Sequence, residues 1–264
     1  MNNIPQLKAL GKPFHISSRI ALTDIDSDYI VECIKYIYKK NIVFQFDCVN
    51  KVDDRILENV GVNLDFKFDG IEEEFQAKAS KIPFNSTGSI FVCCERIVDE
   101  NEFANGKIFV ELSFEYKLVD PSTSEIIDDE EIADEYLVDK LELNITDYSK
   151  QIEIEDFKEK WIELGEENDT SGSLTIKASS LQDSVDKFID SLNLNSLNDN
   201  QVSKKSHGLF FSGEFCTPKK NILALLSVKL SEKEGKFGSS ISVRSTSKEL
   251  RQLIPPYLKK SLSK

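Results

Sequence analysis

The chain has 264 residues, a net charge of −13 and an apolar content of 40%, enough for one large domain or two smaller ones. The acidic balance argues against nucleic acid as the main partner, and the lack of any run of about 18 apolar residues predicts no transmembrane helix. The first residues lack the basic and apolar regions of a signal peptide, so we expect a cytosolic protein.

Basic residues are concentrated towards the C-terminal end. Residues 204–264 contain 13 Lys and Arg against 4 Asp and Glu, a net charge of +9, which leaves −22 for residues 1–203. This asymmetry indicates either a face selected for acidic ligands or a solvated lysine-rich surface. The five cysteines include no Cys-x-x-Cys pair, and we interpret them as reduced, mostly buried thiols.

Alternating apolar residues dominate the chain from about residue 26 to residue 148. Residues 1–25 are polar and irregular and predict a linker or disordered lead-in. The apolar spacing of residues 29–38 fits either a helix or a strand, and the β-branched and aromatic content favours a strand. Further strands are predicted at 42–48, 60–68, 75–82, 89–97, 108–118 and 136–145. Roughly seven or eight strands with almost no helix predict an immunoglobulin-like β-sandwich over residues 26–148.

Beyond Asp147 the pattern changes to mixed helices and strands. The predicted elements are a helix at 156–164 capped by Asp156 with Glu159, a strand at 173–178, a helix capped by Ser179, strands at 209–215, 222–230 and 238–245, and a final helix from Ser247 interrupted at Pro255–Pro256. Residues 149–264 therefore predict an α+β subdomain, an antiparallel sheet with helices on one side.

Enzyme signatures are missing from the sequence. His15 and His207 are the only histidines, and neither lies near a nucleophile motif, a glycine-rich phosphate loop or a metal-ligand spacing. The acidic run Asp128–Glu131 lacks the spaced ligands and the turning glycine of a calcium loop, so we interpret it as a solvated acidic loop. We nominate no catalytic residue, no metal ligand and no cofactor, and we expect a binding protein.

The segment Ile154–Leu164 contains the only tryptophan of the chain. Phe157 and Trp161 are four residues apart on the predicted helix, so their rings are expected side by side on one face. Two interpretations remain open. Large aromatic side chains are usually well buried, which favours a core anchor, whereas tryptophan is also enriched among residues that dominate peptide and protein interfaces.

Three segments resemble the C-terminal appendage, or ear, domains of coatomer gamma subunits. They are Asp28–Asn50 with Ile56–Val60, Asp134–Leu143, and Phe157–Trp161. They occur in the order and spacing of the family, and the run Asn41-Ile-Val-Phe-Gln-Phe-Asp-Cys48 is the most specific of them. The resemblance extends over roughly Thr23 to Leu250. The helical trunk of a gamma subunit is absent, so the resemblance implies a part of a longer subunit.

This resemblance implies an immunoglobulin-like sandwich followed by a platform subdomain, as in clathrin-adaptor ears. It implies a monomeric ear in the COPI coat, located in the cytoplasm and peripherally on Golgi membranes and COPI-coated vesicles. The implied partners are an Arf GTPase-activating protein, recruited through the platform, and other coatomer subunits. The rival hypothesis is a purely structural ear that packs against coat subunits without binding a peptide.

The resemblance also implies which residues form the platform site. Trp161 is expected to face solvent at its centre, with Phe157 packed inwards to brace the helix. The run Ile241–Ser245 on the last strand places Arg244 at the family's basic position, as a clamp for acidic residues of the ligand. A second basic position of the family is missing before Lys229, so we assign that contribution to Lys219 and Lys220 or to Lys229.

Overall fold

The computed structural model describes residues 4–202 and 205–263, and three antiparallel sheets dominate this part of the chain. The chain divides into two compact units. The sandwich unit comprises the stretch ending at Val98 together with Ala104–Leu143, and the platform unit comprises Asp99–Phe103 together with the chain from Asn144 onwards. The second unit thus begins a few residues before the predicted boundary and includes a short segment between two sandwich strands.

The sandwich unit is built from two antiparallel sheets. Its elements are α1 (Pro5–Ala9), β1 (His15–Ile16), β2 (Ile20–Ala21), β3 (Tyr29–Ile37), β4 (Asn41–Asn50), β5 (Arg55–Phe66), β6 (Ile71–Ala77), β7 (Ala79–Ile82), β8 (Thr87–Arg96), β9 (Gly106–Val119), β10 (Ile126–Leu137) and β11 (Leu141–Leu143). One sheet has the order β1-β3-β4-β8-β6, with β2 also paired to β3, and the other has the order β10-β9-β5-β7, with β11 also paired to β9.

The strands form where the sequence alternates with a period of two. Residues of β3 are buried and half-buried in strict alternation, as expected for a strand that packs one face on a core. Phe44 and Phe46 on β4, Leu57 on β5 and Leu112 on β9 are fully buried and belong to that core. The strand interpretation of residues 29–38 is therefore confirmed over Tyr29–Ile37.

The lead-in is ordered in the described part, contrary to the linker predicted for residues 1–25. Leu7 of α1 is 1% exposed and packs in a cluster with Tyr38, Val43 and Phe91. Pro5 does not break this helix because it lies in the first turn, where a missing N–H costs nothing. Strands β1 and β2 both pair with β3. Residues 1–3 lie outside the described residues.

The acidic run Asp128–Glu131 lies within strand β10 and not in a loop. Pairing between β10 and β9 shifts register twice across this run, before it becomes regular at Ile132. The predicted solvation is observed, since these residues are exposed. The single strand predicted at 136–145 is instead the end of β10 and the separate strand β11.

The platform unit contains a six-stranded antiparallel sheet in the order β12-β15-β16-β17-β13, with β14 also paired to β15. Its elements are β12 (Ser149–Gln151), α2 (Phe157–Leu164), β13 (Asp169–Ile176), α3 (Leu181–Ser191), β14 (Asn195–Ser196), β15 (Ser206–Cys216), β16 (Asn221–Lys233), β17 (Lys236–Ser245) and α4 (Lys248–Leu262). The predicted class, a β-sandwich followed by an α+β subdomain, is confirmed.

Helices pack on both faces of the platform sheet, and not on one side as predicted. Phe211 of β15 contacts Phe188 of α3, with ring centroids 6.3 Å apart, and α4 lies against α3, β13 and β17. Phe210, the neighbouring residue, contacts Phe157 of α2 at 4.6 Å. Because successive strand residues point to opposite faces, α2 lies on the face opposite to α3 and α4.

Two details of the helices differ from the prediction. The N-cap of α3 is Ser180, whose side chain accepts a hydrogen bond from the Asp183 backbone N–H, and not Ser179. Helix α4 continues through Pro255 and Pro256 without interruption. A stripe of buried residues continues through the prolines, and its packing compensates for the missing backbone hydrogen bonds. The stripe consists of Leu250, Ile254, Leu258 and Leu262.

Candidate functional site

Helix α2 has a defined start and a defined end. The Asp156 side chain accepts a hydrogen bond from the Glu159 backbone N–H at 3.0 Å, as the sequence predicts. The helix ends at Gly165, whose φ of 79° lies in the left-handed region that glycine adopts most easily. None of its residues is buried, so α2 rests on the sheet as a surface element.

Three aromatic side chains and one arginine form a continuous row on this face. The Arg244 guanidinium lies 4.4 Å from the Trp161 ring centroid. The Trp161 and Phe157 rings are stacked at 5.3 Å with an interplanar angle of 25°, and Phe157 in turn lies 4.6 Å from Phe210. Trp161 and Phe157 are half-buried and Phe210 is 37% exposed. The row therefore offers solvent a partly open aromatic surface.

Arg244 is buried beside the indole, whereas the resemblance implies a clamp for acidic residues of a ligand. The residue is 8% exposed. Its Nη1 donates a hydrogen bond to the Trp161 carbonyl oxygen at 2.7 Å, and its Nε lies 3.6 Å from an Asp169 carboxylate oxygen. Stacking of the guanidinium on the ring and the hydrogen bond to the same residue hold Trp161 in one orientation.

The sheet register explains why these groups meet. Arg244 of β17 pairs directly with Asp169 of β13 on one side and with Leu225 of β16 on the other. Directly paired residues share a face, which brings the carboxylate beside the guanidinium. Beyond α2 the same face carries small side chains, including Ser171 and Ser242, whose hydroxyl oxygens are 2.7 Å apart. Because both residues are serines, neither side chain is large enough to cover the row of Arg244, Trp161, Phe157 and Phe210.

The three nominated lysines lie in different places. Lys229 is exposed on β16, four residues beyond Leu225 and thus on the same face as Arg244, about 13 Å along the strand. Its neighbour on the strand two residues back, Ser227, pairs with Phe210. Lys229 is therefore a diagonal neighbour of Phe210, at a spacing of roughly 7–8 Å between backbones.

Lys219 and Lys220 do not join the aromatic row. They lie in the turn between β15 and β16, where Lys219 forms an ion pair with Glu100. Lys220 lines an open pocket of about 500 Å³ together with Ile222 and Glu249. Ile222 has the same parity on β16 as Leu226, which pairs with Phe211, so this pocket opens on the face of α3 and α4.

Sequence reasoning missed Phe210 and Asp169 as members of the site. Phe210 is adjacent to Phe211, and in a strand one of two neighbouring phenylalanines must face away from the core. The Phe-Phe pattern is visible in the sequence, but the sequence does not show that helix α2 packs on the Phe210 ring. Asp169 follows an acidic loop and has no distinguishing local signal.

The two histidines of the chain both lie in strands. His207 lies in β15, with its ring Nε2 2.9 Å from the Asp199 carbonyl oxygen, and His15 lies in β1. Within residues 4–202 and 205–263, no group of three or more His, Cys, Asp or Glu side chains could hold a metal ion. In the same described part, no helix has the length and apolar character needed to cross a bilayer.

Comparison with known proteins assigns the chain to a family. The profile described as "Coatomer gamma subunit appendage platform subdomain" matches residues 1–144, and that described as "Coatomer subunit gamma-1 C-terminal appendage platform" matches residues 146–257. The chain belongs to the coatomer gamma appendage family. The resemblance found in the sequence is therefore confirmed, and the junction between the two profiles falls beside the division of the structure at Leu143 and Asn144.

Coatomer gamma relatives from distant organisms match most of this chain. Coatomer subunit gamma-1 of Oryza sativa subsp. japonica is 30% identical over 262 residues, which cover 96% of this chain and 29% of that protein. Coatomer subunit gamma of Drosophila melanogaster is 31% identical over 258 residues, covering 95% and 28%. The chain thus spans less than a third of the length of these relatives. Among solved structures, the yeast GGA1 GAE domain covers 48% of this chain and 98% of its own, at 14% identity and a TM-score of 0.30.

Proposed function

We propose that this appendage is an interaction module of the COPI vesicle coat, and that its platform unit binds a short linear segment of an accessory protein at Trp161. An Arf GTPase-activating protein is the proposed partner, recruited to the coat on the cytosolic face of Golgi membranes and vesicles. Membership of the coatomer gamma appendage family supports the coat assignment. Other coatomer subunits are the proposed neighbours of the longer subunit to which such an appendage belongs.

The main support for this proposal is the set of contacts that orient Trp161. An indole that is half-exposed normally has several accessible orientations, and ordering them on binding costs free energy. Here Trp161 is restricted before any ligand arrives. Its ring lies 4.4 Å from the Arg244 guanidinium and 5.3 Å from the Phe157 ring, and Arg244 also donates a hydrogen bond to the Trp161 carbonyl oxygen. A rigid, partly exposed aromatic anchor has the properties of an interface hot spot.

The geometry favours a ligand with one apolar or aromatic side chain and a nearby carboxylate. The apolar side chain would lie on the surface formed by Trp161 and Phe210. Lys229, exposed and diagonal to Phe210, is placed to attract the carboxylate and to raise the association rate more than the final affinity. In this arrangement Arg244 is a positioning residue, and Lys219 and Lys220 make no contact with the ligand.

Substitution Trp161→Ser tests the proposal. We expect binding of the GTPase-activating protein to weaken by about 30-fold or more, which corresponds to a hot-spot loss of about 2 kcal/mol. The thermal melt should stay nearly unchanged because Trp161 is only half-buried and lies on a surface helix. Ile162→Ser, on the same helix with 75% of its surface exposed, is the matched control and should bind normally.

Trp161 fluorescence gives a second, direct measurement, because the chain contains one tryptophan. Titration with a short peptide that combines acidic and aromatic residues should shift or quench the emission. If no such peptide changes the spectrum and Trp161→Ser binds the accessory protein normally, the appendage is a structural element that packs against coat subunits. A large fall in melting temperature for Trp161→Ser would instead identify the indole as a core residue.

A further inference from the structure

Strand β10 forms an open edge of the sandwich unit. It pairs with β9 on one side, and no strand of the described residues pairs with its other side. Every residue of β10 is exposed except Tyr136, which is half-buried. Alternate residues of such an edge direct their N–H and C=O groups away from the sheet, where they can pair with another chain.

The apolar content of this edge is unusual for a strand that contributes so little to a core. Four of the eleven large apolar residues that are exposed in the described part lie on β10. They are Ile126 (44% exposed), Ile127 (67%), Ile132 (37%) and Leu137 (78%). Ordering a strand costs about 1–2 kcal/mol of backbone entropy per residue, and little apolar burial within β10 offsets that cost. Two of them, Ile132 and Leu137, lie at the ends of the regular segment described below and are available to pack against an added strand.

The charge of the edge is entirely negative. Residues Ile126–Leu137 contain six carboxylates and no Lys or Arg. Within the described residues, one of the six forms an ion pair, Glu131 with Lys117 at 3.1 Å. Two copies of such a strand would repel each other, so the edge is poorly suited to self-association. A strand with basic side chains would match both the charge and the alternation.

The segment Ile132–Leu137 is the regular part of this edge. It pairs with Tyr116–Glu111 of β9 in unbroken register, whereas the preceding acidic run is irregular. Asp134 already accepts a hydrogen bond from the Glu135 backbone N–H at 2.9 Å, so that donor is satisfied within β10. Along the segment Asp134 alternates with Glu135, so both faces of an added strand would meet a carboxylate.

We propose that the free edge of β10 at Ile132–Leu137 binds an extended, basic segment of another protein as an added β-strand. Main-chain hydrogen bonds would supply affinity, and alternating Lys or Arg with apolar residues would supply selectivity. A segment this short covers a small area, so the interaction is weak and transient. This surface belongs to the sandwich unit and is independent of the Trp161 site on the platform unit.

The test uses the full chain and a fluorescent peptide of roughly ten residues that alternates Lys and Val. We expect this peptide to bind by fluorescence anisotropy and to slow hydrogen exchange of the backbone amides at 132–137. A peptide that alternates Lys and Pro carries the same charge but cannot pair as a strand, so it should bind at least about tenfold more weakly. A Glu-Val peptide should not bind.

Charge variants separate this site from general attraction to an acidic protein. The double variant Asp134→Asn, Glu135→Gln should weaken Lys-Val binding by about tenfold. The double variant Glu153→Gln, Glu155→Gln removes the same charge from exposed positions elsewhere and should bind normally. Unchanged thermal melts exclude unfolding as the cause. The proposal would be overturned if the Lys-Val peptide did not bind, or if the Lys-Pro peptide bound equally well. It would also be overturned if both double variants lost the same affinity, or if hydrogen exchange slowed outside β10 instead of within it.

Discussion

At the scale of single residues, Trp161 shows how one side chain can combine packing and exposure. Its stacking on Phe157 follows from a helical spacing of four, whereas its contact with Arg244 joins residues 83 apart in sequence. The arginine is almost fully buried, yet its charge is matched by Asp169 and by the indole face. The buried cation therefore holds an aromatic ring from within the fold.

Asp47 supplies a residue-scale prediction about pH. Burial raises the pKa of this carboxyl, but hydrogen bonds donated by Ser89, Gln45 and Arg19 outweigh burial and leave its pKa below the ordinary value. A depressed pKa stabilises the fold above the unfolded-state pKa of about 3.9, and this contribution is lost as pH falls through the folded-state pKa. Asp47→Asn should therefore lower the free energy of unfolding at pH 7 by about 1–3 kcal/mol.

Urea denaturation of the wild type and Asp47→Asn as a function of pH measures this effect. The difference between the two proteins should be full from neutral pH down to about pH 5 and should shrink below about pH 4. Asp26→Asn, at an exposed position of the same unit, should match the wild type throughout. A difference between wild type and Asp47→Asn that persists unchanged at low pH would contradict the assignment of the effect to the ionised carboxylate.

At the scale of elements, helix α4 shows local propensity overruled by packing. Two consecutive prolines predict an interruption, since each lacks an N–H and its ring crowds the preceding turn. The structure keeps the helix intact because Leu258 and Leu262, after the prolines, continue the buried stripe of Leu250 and Ile254. The part of α4 beyond the prolines is therefore a component of the platform core.

Leu258→Ala tests this continuity. Because the side chain is fully buried, we expect the free energy of unfolding of the platform unit to fall by about 2–5 kcal/mol. Lys259→Ala, one residue further on and exposed, should change it by less than about 0.5 kcal/mol. Urea denaturation followed by Trp161 fluorescence reports on this unit specifically. Equal, small effects of both substitutions would mean that the helix ends before Leu258 in solution.

At the scale of the whole molecule, each of the two units contains buried thiols. Cys33, Cys48, Cys93 and Cys94 lie in the sandwich unit and Cys216 lies in the platform unit, and all five are buried. Desolvation by burial raises the pKa of Cys48 and of Cys93 to about 12. Thiols in this state contain almost no reactive thiolate at neutral or mildly basic pH.

We therefore expect the native protein to resist alkylation by iodoacetamide at about pH 8, with all five thiols reacting once the chain is unfolded in urea. Mass spectrometry at intermediate urea concentrations would follow each unit separately, because labelling of Cys216 reports on the platform unit and labelling of the other four on the sandwich unit. Rapid labelling of Cys48 in native buffer would show that the sandwich core is less protected than the structure indicates.

Elements with local signals could be predicted from the amino-acid sequence alone. Period-two alternation marked most sandwich strands, Asp156 marked the start of α2, and the Asn41–Cys48 run with the Phe157–Trp161 pair indicated the family. These signals need no knowledge of what the rest of the chain does. The lead-in was misjudged because Leu7 packs on residues that lie far away in sequence. The acidic run was misjudged because its charged composition conceals its pairing with the preceding strand β9.

The assembly of the candidate site depends on contacts between segments that are remote in sequence. The register of β13, β16 and β17 brings Arg244 to Asp169. The packing of α2 on the sheet places Phe210 beside Phe157. Lys219 and Lys220 lie away from this row, in the turn between β15 and β16. A strand's sequence specifies which residues share a face, but not which face a helix covers. The face that a helix covers depends on burial summed over segments that are remote in sequence. For this reason Arg244, which was expected to contact a ligand, is instead buried beside the indole of Trp161.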